Sequence, residues 1–82
     1  MNSFLSMWEK VCDILVKVAA PEEILRDALS VEAGTSKDFI RLRCTERLKD
    51  YLEQEEILTL IRPYVMGYVK KMKCKNIQYI IK

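Results

Sequence analysis

The 82-residue chain contains no histidine, and only two of its residues are glycine. The absence of histidine removes the usual general base for a serine or cysteine nucleophile and the commonest metal ligand. With Gly34 and Gly67 as its only glycines, the chain has no glycine-rich loop that could cradle a phosphate. We therefore expect a protein that is not an enzyme and that needs no cofactor.

Cysteine is also sparse. Cys12, Cys44 and Cys74 are odd in number and widely spaced, which excludes a disulfide framework and a Cys-x-x-Cys zinc site. Charged residues interrupt the first 20 residues, unlike the apolar region of a secretory signal. No apolar run reaches the roughly 18 residues of a membrane span. We therefore expect an intracellular protein of the cytoplasm or nucleus, in a reducing compartment.

Acidic residues are absent from the last third of the chain. Residues 57–82 carry six basic residues and no Asp or Glu, whereas residues 1–56 carry eight basic and twelve acidic residues. These cations have several interpretations: contact with an acidic protein surface, binding of nucleic-acid phosphates, compensation of a helix dipole, or peripheral membrane contact. The predicted basic patch comprises Arg62, Lys70, Lys71, Lys73 and Lys75.

Apolar residues, by contrast, are abundant and lie at helical spacing. Half of the residues are hydrophobic and about a third are charged, which is typical of a folded globular chain. Phe4, Trp8, Val11 and Leu15 recur at steps of four and three, which predicts a helix near the N-terminus. We expect a single domain over residues 1–82, at a size where a core alone gives little net stability. A second copy or a partner protein is therefore expected to complete the core.

Local signals predict two further helices. Pro21 predicts the start of the second, because a proline at the first helical position gives up no needed N–H group. Gly34 predicts its end in the left-handed conformation, and Thr35 and Ser36 offer N-caps for the third. The apolar face of this third helix is predicted to comprise Ile40, Cys44, Leu48, Tyr51 and Leu52.

The C-terminal half continues the helical pattern. A turn is predicted near residues 54–56, followed by a fourth helix that Pro63 either kinks or starts. Residues 76–82 are short and β-branched, and are interpreted as a last helical turn, a strand added to a partner, or a frayed end. We expect an all-α fold, a small bundle of four or five short helices with a helical hairpin at about residues 36–73.

The segment Leu-Lys-Asp-Tyr-Leu-Glu at residues 48–53, with Ile57, Ile61 and Val65 after it, resembles the N-terminal helical hairpin of FOP-type centrosomal and basal-body proteins. That resemblance, over residues 48–69, implies dimerisation and anchoring at centrioles. The apolar spacing is also similar to that of the enhancer-of-yellow (Sus-type) adaptors of the SAGA deubiquitinase module and the mRNA-export complex, which wrap around a partner helix. Both resemblances imply a non-catalytic scaffold.

The predicted function is therefore that of a helical protein-protein interaction module, or a small adaptor subunit of a larger intracellular assembly. Its partner is either another protein or a second copy of the chain. The alternative is a small nucleic-acid-binding protein that uses the basic segment 62–82. The first and fourth helices carry more apolar residues than one small core buries, so they are expected to supply the contact surface. That partner interface is predicted to comprise Trp8, Ile57, Ile61, Val65, Tyr68, Val69 and Met72.

Overall fold

A computed structural model describes residues 3–82, which form four helices and one three-stranded sheet. The elements are α1 (Ser3–Lys17), α2 (Glu22–Ala28), β1 (Glu32–Ser36), β2 (Phe39–Cys44), α3 (Glu46–Leu52), α4 (Glu55–Lys71) and β3 (Asn76–Ile81). Strand β2 pairs antiparallel with β1 and parallel with β3, so the strand order is β1-β2-β3. The two parallel strands are joined by a crossover made of α3 and α4, as parallel pairing requires.

The sheet shows that the all-α prediction is wrong, and the fold is α+β. The predicted helical hairpin at about residues 36–73 is wrong as well, because strand β2 takes up its first part and only α3 and α4 of that range are helical. The cause of the error is the spacing of Ile40 and Cys44. Residues four apart share a face of a helix, but because four is an even number they share a face of a strand as well.

Leu42 distinguishes the two structures. On a helix that buries Ile40 and Cys44, Leu42 lies on the opposite side, whereas on a strand it shares their face. In the structure all three of these side chains are buried, and the intervening Arg41 and Arg43 are exposed. One face of the sheet therefore packs against the helices, and the other faces solvent.

The boundaries of the second helix also differ from the prediction. Pro21 does precede a helix, which begins at Glu22, but α2 ends after two turns at Ala28. Gly34 lies in β1 and has no positive φ, so the predicted left-handed helix end is wrong. The chain instead reverses through the β1–β2 hairpin.

The N-cap of α3 is Thr45, and the predicted caps Thr35 and Ser36 lie in β1. The Thr45 Oγ1 accepts a hydrogen bond from the Leu48 N–H at 3.3 Å. This bond satisfies one of the amides that the first turn of a helix leaves without an internal partner. Thr45 directly follows β2, so it marks the point where the strand becomes a helix.

Helix α4 runs for 17 residues and continues through Pro63. Pro63 has no N–H to donate to the Thr59 carbonyl, but the helix neither starts nor ends there. The turn predicted near residues 54–56 lies at residues 53–54, between α3 and α4. Among residues 3–82, no helix combines the length and the apolar character that are needed to cross a membrane.

The core lies between the helices and the inner face of the sheet. The Trp8 indole N–H donates to the Ala28 carbonyl at 2.7 Å and thereby joins α1 to α2. Phe4 stacks on Trp8 with ring centroids 5.7 Å apart, and Tyr68 of α4 meets Phe4 edge-on at 5.9 Å. The largest fully buried side chains are Leu15, Ile40, Leu42, Leu48, Leu52 and Ile61.

Candidate interaction surfaces

No three His, Cys, Asp or Glu side chains of residues 3–82 are grouped so that they could hold a metal ion. The three cysteines are free thiols. Burial raises the pKa of Cys44, and burial together with the nearby Asp13 and Glu9 carboxylates raises the pKa of Cys12. A raised pKa keeps a thiol protonated at neutral pH, where it is a weak nucleophile.

The carboxyl group of Asp27 is the acidic side chain that the fold holds most firmly. Asp27 is buried at the end of α2, and its Oδ2 accepts a hydrogen bond from the Thr45 hydroxyl at 2.7 Å. Hydrogen bonds from Arg47, and then that from Thr45, lower the Asp27 pKa to about 2. The carboxylate is therefore ionised and occupied at neutral pH, and it connects α2 to the start of α3.

The predicted partner interface divides into buried and exposed members. Trp8, Ile57, Ile61 and Val69 are buried in the protein's own core. Helical spacing identifies side chains that are buried together, but it does not tell whether the chain itself or a partner buries them. The members that keep exposed surface are Val65, Tyr68 and Met72.

All five members of the predicted basic patch are exposed. Lys75 lies with its Nζ 3.9 Å from the Asp38 carboxylate, and its N–H donates to the Asp38 carbonyl at 2.7 Å. This contact holds the α4–β3 loop against the β1–β2 turn, so Lys37 of that turn adds to the positive charge. The other four make no ion pair within residues 3–82; they are Arg62, Lys70, Lys71 and Lys73.

A surface that was not predicted as a site lies between α1 and α2. Leu5 and Val16 are exposed and Cys12 is half-buried, and their spacing of seven and four places them on one stripe of α1. Leu29 is exposed and Val31 half-buried just beyond α2, and both line one shallow depression of about 360 Å³ with Leu5 and Cys12. We call this set of five residues the α1–α2 apolar surface. The stripe was visible in the sequence, but the position of Leu29 beside it was not.

A groove of about 400 Å³ runs between α4 and β3. Its floor is formed by apolar side chains, most of them half-buried, and Glu53 and Arg62 lie at its rim. Burial, and then the Glu53 carboxylate, raises the pKa of the Tyr79 phenol to about 12, so this side chain stays neutral. We call this feature the α4–β3 groove; its apolar lining is Leu58, Ile61, Val65, Met66, Ile77 and Tyr79.

The solvent face of the sheet carries two arginines. Arg41 and Arg43 project from β2 and are exposed, and neither forms an ion pair within residues 3–82. Gly34 stands opposite Arg41 in the β1–β2 register and leaves space beside it. The open sheet face is therefore basic, like the loop that ends α4.

Two apolar surfaces, the basic patch and the basic open face of the sheet are thus accessible in the described residues. The resemblance of residues 48–69 to the FOP-type hairpin and to the Sus-type adaptors stays a prediction. Comparison of the chain with protein-family models, with curated proteins and with solved structures finds no match.

Proposed function

We propose that this chain is a non-catalytic protein-protein interaction module that acts as a small subunit of a larger intracellular assembly. The observation that carries the proposal is the α1–α2 apolar surface. Leu29 is 81% exposed, Val16 64% and Leu5 55%. Burial of one such aliphatic side chain stabilises a protein or a complex by roughly 1.5–3 kcal/mol. Several of them together on one side of a small chain are typical of a surface that another protein covers.

The side chains around this surface indicate what kind of partner surface would fit it. Glu9 and Asp13 line the same depression as Leu5, Leu29 and Cys12. The surface therefore has an apolar centre and an acidic rim, which is the usual anatomy of a protein interface. A partner that fits it has exposed apolar side chains flanked by Lys or Arg, because the basic groups select the orientation while the apolar contact supplies the affinity.

The intracellular setting is part of the same proposal. It rests on Cys12, Cys44 and Cys74, which are all free thiols in the structure. Three unpaired cysteines in so small a chain are typical of a reducing compartment.

The test compares substitutions on this surface with a matched substitution elsewhere. Wild-type protein is used as bait in an extract of the source cells, and the partner it captures is then purified and titrated by calorimetry. Leu5→Asp and Leu29→Asp are each expected to weaken binding by at least about tenfold, because each introduces a charge into the apolar centre. Leu60→Asp is the control, since Leu60 is exposed on α4 and outside this surface.

The outcome separates surface contact from misfolding. Circular dichroism is expected to show native helix content for all three variants, because each of these leucines is exposed. Binding that survives Leu5→Asp and Leu29→Asp but is lost in Leu60→Asp would assign the contact to α4 and contradict the proposal.

Nucleic-acid binding is the second candidate function. The observation that favours it is the group of unpaired cations at the end of α4, together with Arg41 and Arg43 on the open sheet face. Phosphate contacts of this kind lose affinity steeply with salt. A single-stranded oligonucleotide that binds less well at higher salt, and less well still to Lys70→Glu and Lys73→Glu, would support this function. Binding that is unaffected by salt and by the two lysine substitutions would exclude these cations as its source.

A further inference from the structure

The outer edge of β3 has no strand partner in the described residues. β3 pairs with β2 on one side only. The Lys82 N–H donates to the Cys44 carbonyl of β2 at 3.0 Å. Successive amides of a strand alternate in direction, so the amides of Tyr79 and Ile81 point to the free edge. The Ile77 amide is satisfied by the Asn76 side chain at 2.8 Å, which is the pattern of an amide that no strand partner reaches.

This edge lacks the devices that usually keep a free strand from pairing. Charged side chains, proline and bulges protect natural edge strands. Residues 76–81, Asn-Ile-Gln-Tyr-Ile-Ile, contain neither a charge nor a proline. The flanking lysines are both held by their own chain, Lys75 by Asp38 and Lys82 by the Ser30 carbonyl. The free edge of β3 is therefore open to a further strand.

The α4–β3 groove lies on the helix side of this edge. A strand added next to β3 would direct alternate side chains toward the helices and the others toward the open sheet face. The inward ones would cover the half-buried Leu58, Val65, Ile77 and Tyr79. The occupant therefore needs apolar residues at every second position and polar residues between them.

β3 itself has this pattern except at Ile80. The register with β2 places Ile77, Tyr79 and Ile81 on the helix face, and Asn76, Gln78 and Ile80 on the open face. We infer that the occupant is β3 of a second copy, paired antiparallel across a twofold axis so that two three-stranded sheets become one of six strands. This inference deepens the proposed interaction role by naming a second copy of the chain as one partner, at a surface separate from the α1–α2 apolar surface.

The charges at the rim of the groove complement each other under this symmetry. Glu53 precedes α4 and lies near Tyr79 in the C-terminal half of β3. Arg62 is two turns further along α4, which runs back toward the start of β3. In an antiparallel pair the C-terminal half of one strand lies beside the N-terminal half of the other. We assign the register in which the twofold axis passes midway between Glu53 and Arg62, because it brings Glu53 of each copy to Arg62 of the other, and the contact then occurs twice.

The test uses this pairing of charges. The wild-type mass is measured by light scattering over a micromolar to millimolar concentration series, and it is expected to approach twice the monomer mass. Glu53→Arg and Arg62→Glu each bring two pairs of like charges together and are each expected to raise the dimer dissociation constant about tenfold. An equimolar mixture of these two variants restores both opposite-charge contacts, so it is expected to regain the dimer.

Matched controls separate this pairing from a general charge effect. Asp50→Arg and Lys71→Glu make the same charge changes at exposed positions outside the groove, and they are expected to leave the dissociation constant within about twofold. Circular dichroism checks the fold of every variant. A wild-type chain that is monomeric throughout, or single variants that dimerise as wild type does, or a mixture that fails to regain the dimer, would overturn the inference. A dimer lost in Leu5→Asp but kept in both groove variants would overturn it while leaving the α1–α2 apolar surface as an interface.

Discussion

Arg47 donates two parallel hydrogen bonds to the carboxylate of Asp27. Its Nε lies 2.5 Å from Oδ2 and its Nη2 lies 3.0 Å from Oδ1. Asp27 is at the end of α2 and Arg47 is in the first turn of α3, so this pair joins two helices that the β1–β2 hairpin separates in the sequence. Bidentate ion pairs of this kind are stronger than ion pairs with one hydrogen bond, because the planar guanidinium matches the geometry of the carboxylate.

We expect this pair to make stability depend on acid pH. The pKa of Asp27 falls from 3.8 to about 2 on folding, first through the hydrogen bonds from Arg47. A group whose pKa is lower in the folded state contributes stability above its unfolded pKa, and the contribution is lost as the pH falls from about 4 to about 2. Asp27→Asn should therefore lower the free energy of unfolding by about 1–2 kcal/mol at pH 7, and the difference from wild type should shrink toward pH 2.

Urea unfolding at pH 7, 4 and 2 measures this dependence. Asp38→Asn is the control, because the Asp38 carboxylate is partly exposed and its contact with Lys75 is 3.9 Å long. Such a pair contributes less than about 1 kcal/mol. A deficit of Asp27→Asn that stayed constant from pH 7 to pH 2 would contradict the electrostatic origin.

Removal of the α3 cap should also destabilise the protein. Thr45→Ala deletes the hydroxyl that accepts from the Leu48 N–H and donates to Asp27. Loss of an N-cap typically costs about 1 kcal/mol and up to about 2. Ser36→Ala is the matched control, because Ser36 lies in β1 and caps no helix. Thermal unfolding should show a lower melting temperature for Thr45→Ala, and equal losses in both variants would count against the cap.

A substitution in β2 tests the correction of the fold itself. Leu42→Ala should lower the free energy of unfolding by about 2–5 kcal/mol, because Leu42 is fully buried and the truncation leaves a cavity. Arg41→Ala, one residue away on the open face, should change it by less than about 0.5 kcal/mol. The all-α alternative predicts a tolerated Leu42→Ala. Chemical denaturation of the two variants therefore decides between strand and helix at this position.

A substitution of Trp8 tests whether its side chain stabilises the protein's own core or contacts a partner. Trp8→Phe removes the N–H that bonds the Ala28 carbonyl, and a buried acceptor left unsatisfied costs about 1–3 kcal/mol. Tyr64→Phe is the control, since the Tyr64 ring is exposed on α4. Denaturant unfolding should show the loss for Trp8→Phe only. An unchanged stability combined with weaker association would instead place Trp8 in the partner interface, as the sequence predicted.

The end of α1 offers a stabilising substitution. Ala19 has a φ of +55°, in the left-handed region that costs residues with a Cβ roughly 1 kcal/mol or more. Ala19→Gly relieves this strain and is expected to raise the free energy of unfolding by about 0.5–1 kcal/mol, after the larger entropy of glycine in the unfolded chain is subtracted. Ala33→Gly is the control, because Ala33 is exposed in β1 with no positive φ, and it should lower stability. A melting temperature that falls in both variants would contradict the strain.

Prediction from the sequence was most successful where one helical period continues without interruption. The apolar steps from Phe4 to Leu15 predicted α1, and the resumption of that pattern at Ile57 predicted α4. The hydrophobic period and the polarity of a segment are local properties, so they can be determined from the sequence without knowledge of the fold. They failed at Ile40 and Cys44, because a spacing of four satisfies a helix and a strand alike. The alternation of Ile40, Leu42 and Cys44 with two arginines is the strand signal in the sequence, and the pairing of β2 with β1 and β3 confirms it.

For the candidate sites, the order of residues alone shows where the positive charge lies and that the first and fourth helices are rich in apolar residues. Which of those apolar residues remain available to a partner depends on the packing of the folded chain. Trp8, Ile57 and Ile61 face inward because α1 packs on α2 and α4, whereas Leu29 stays exposed beside the stripe that carries Leu5. Whether a side chain is buried depends on which helices and strands pack together. That packing is set by contacts between residues far apart in the chain.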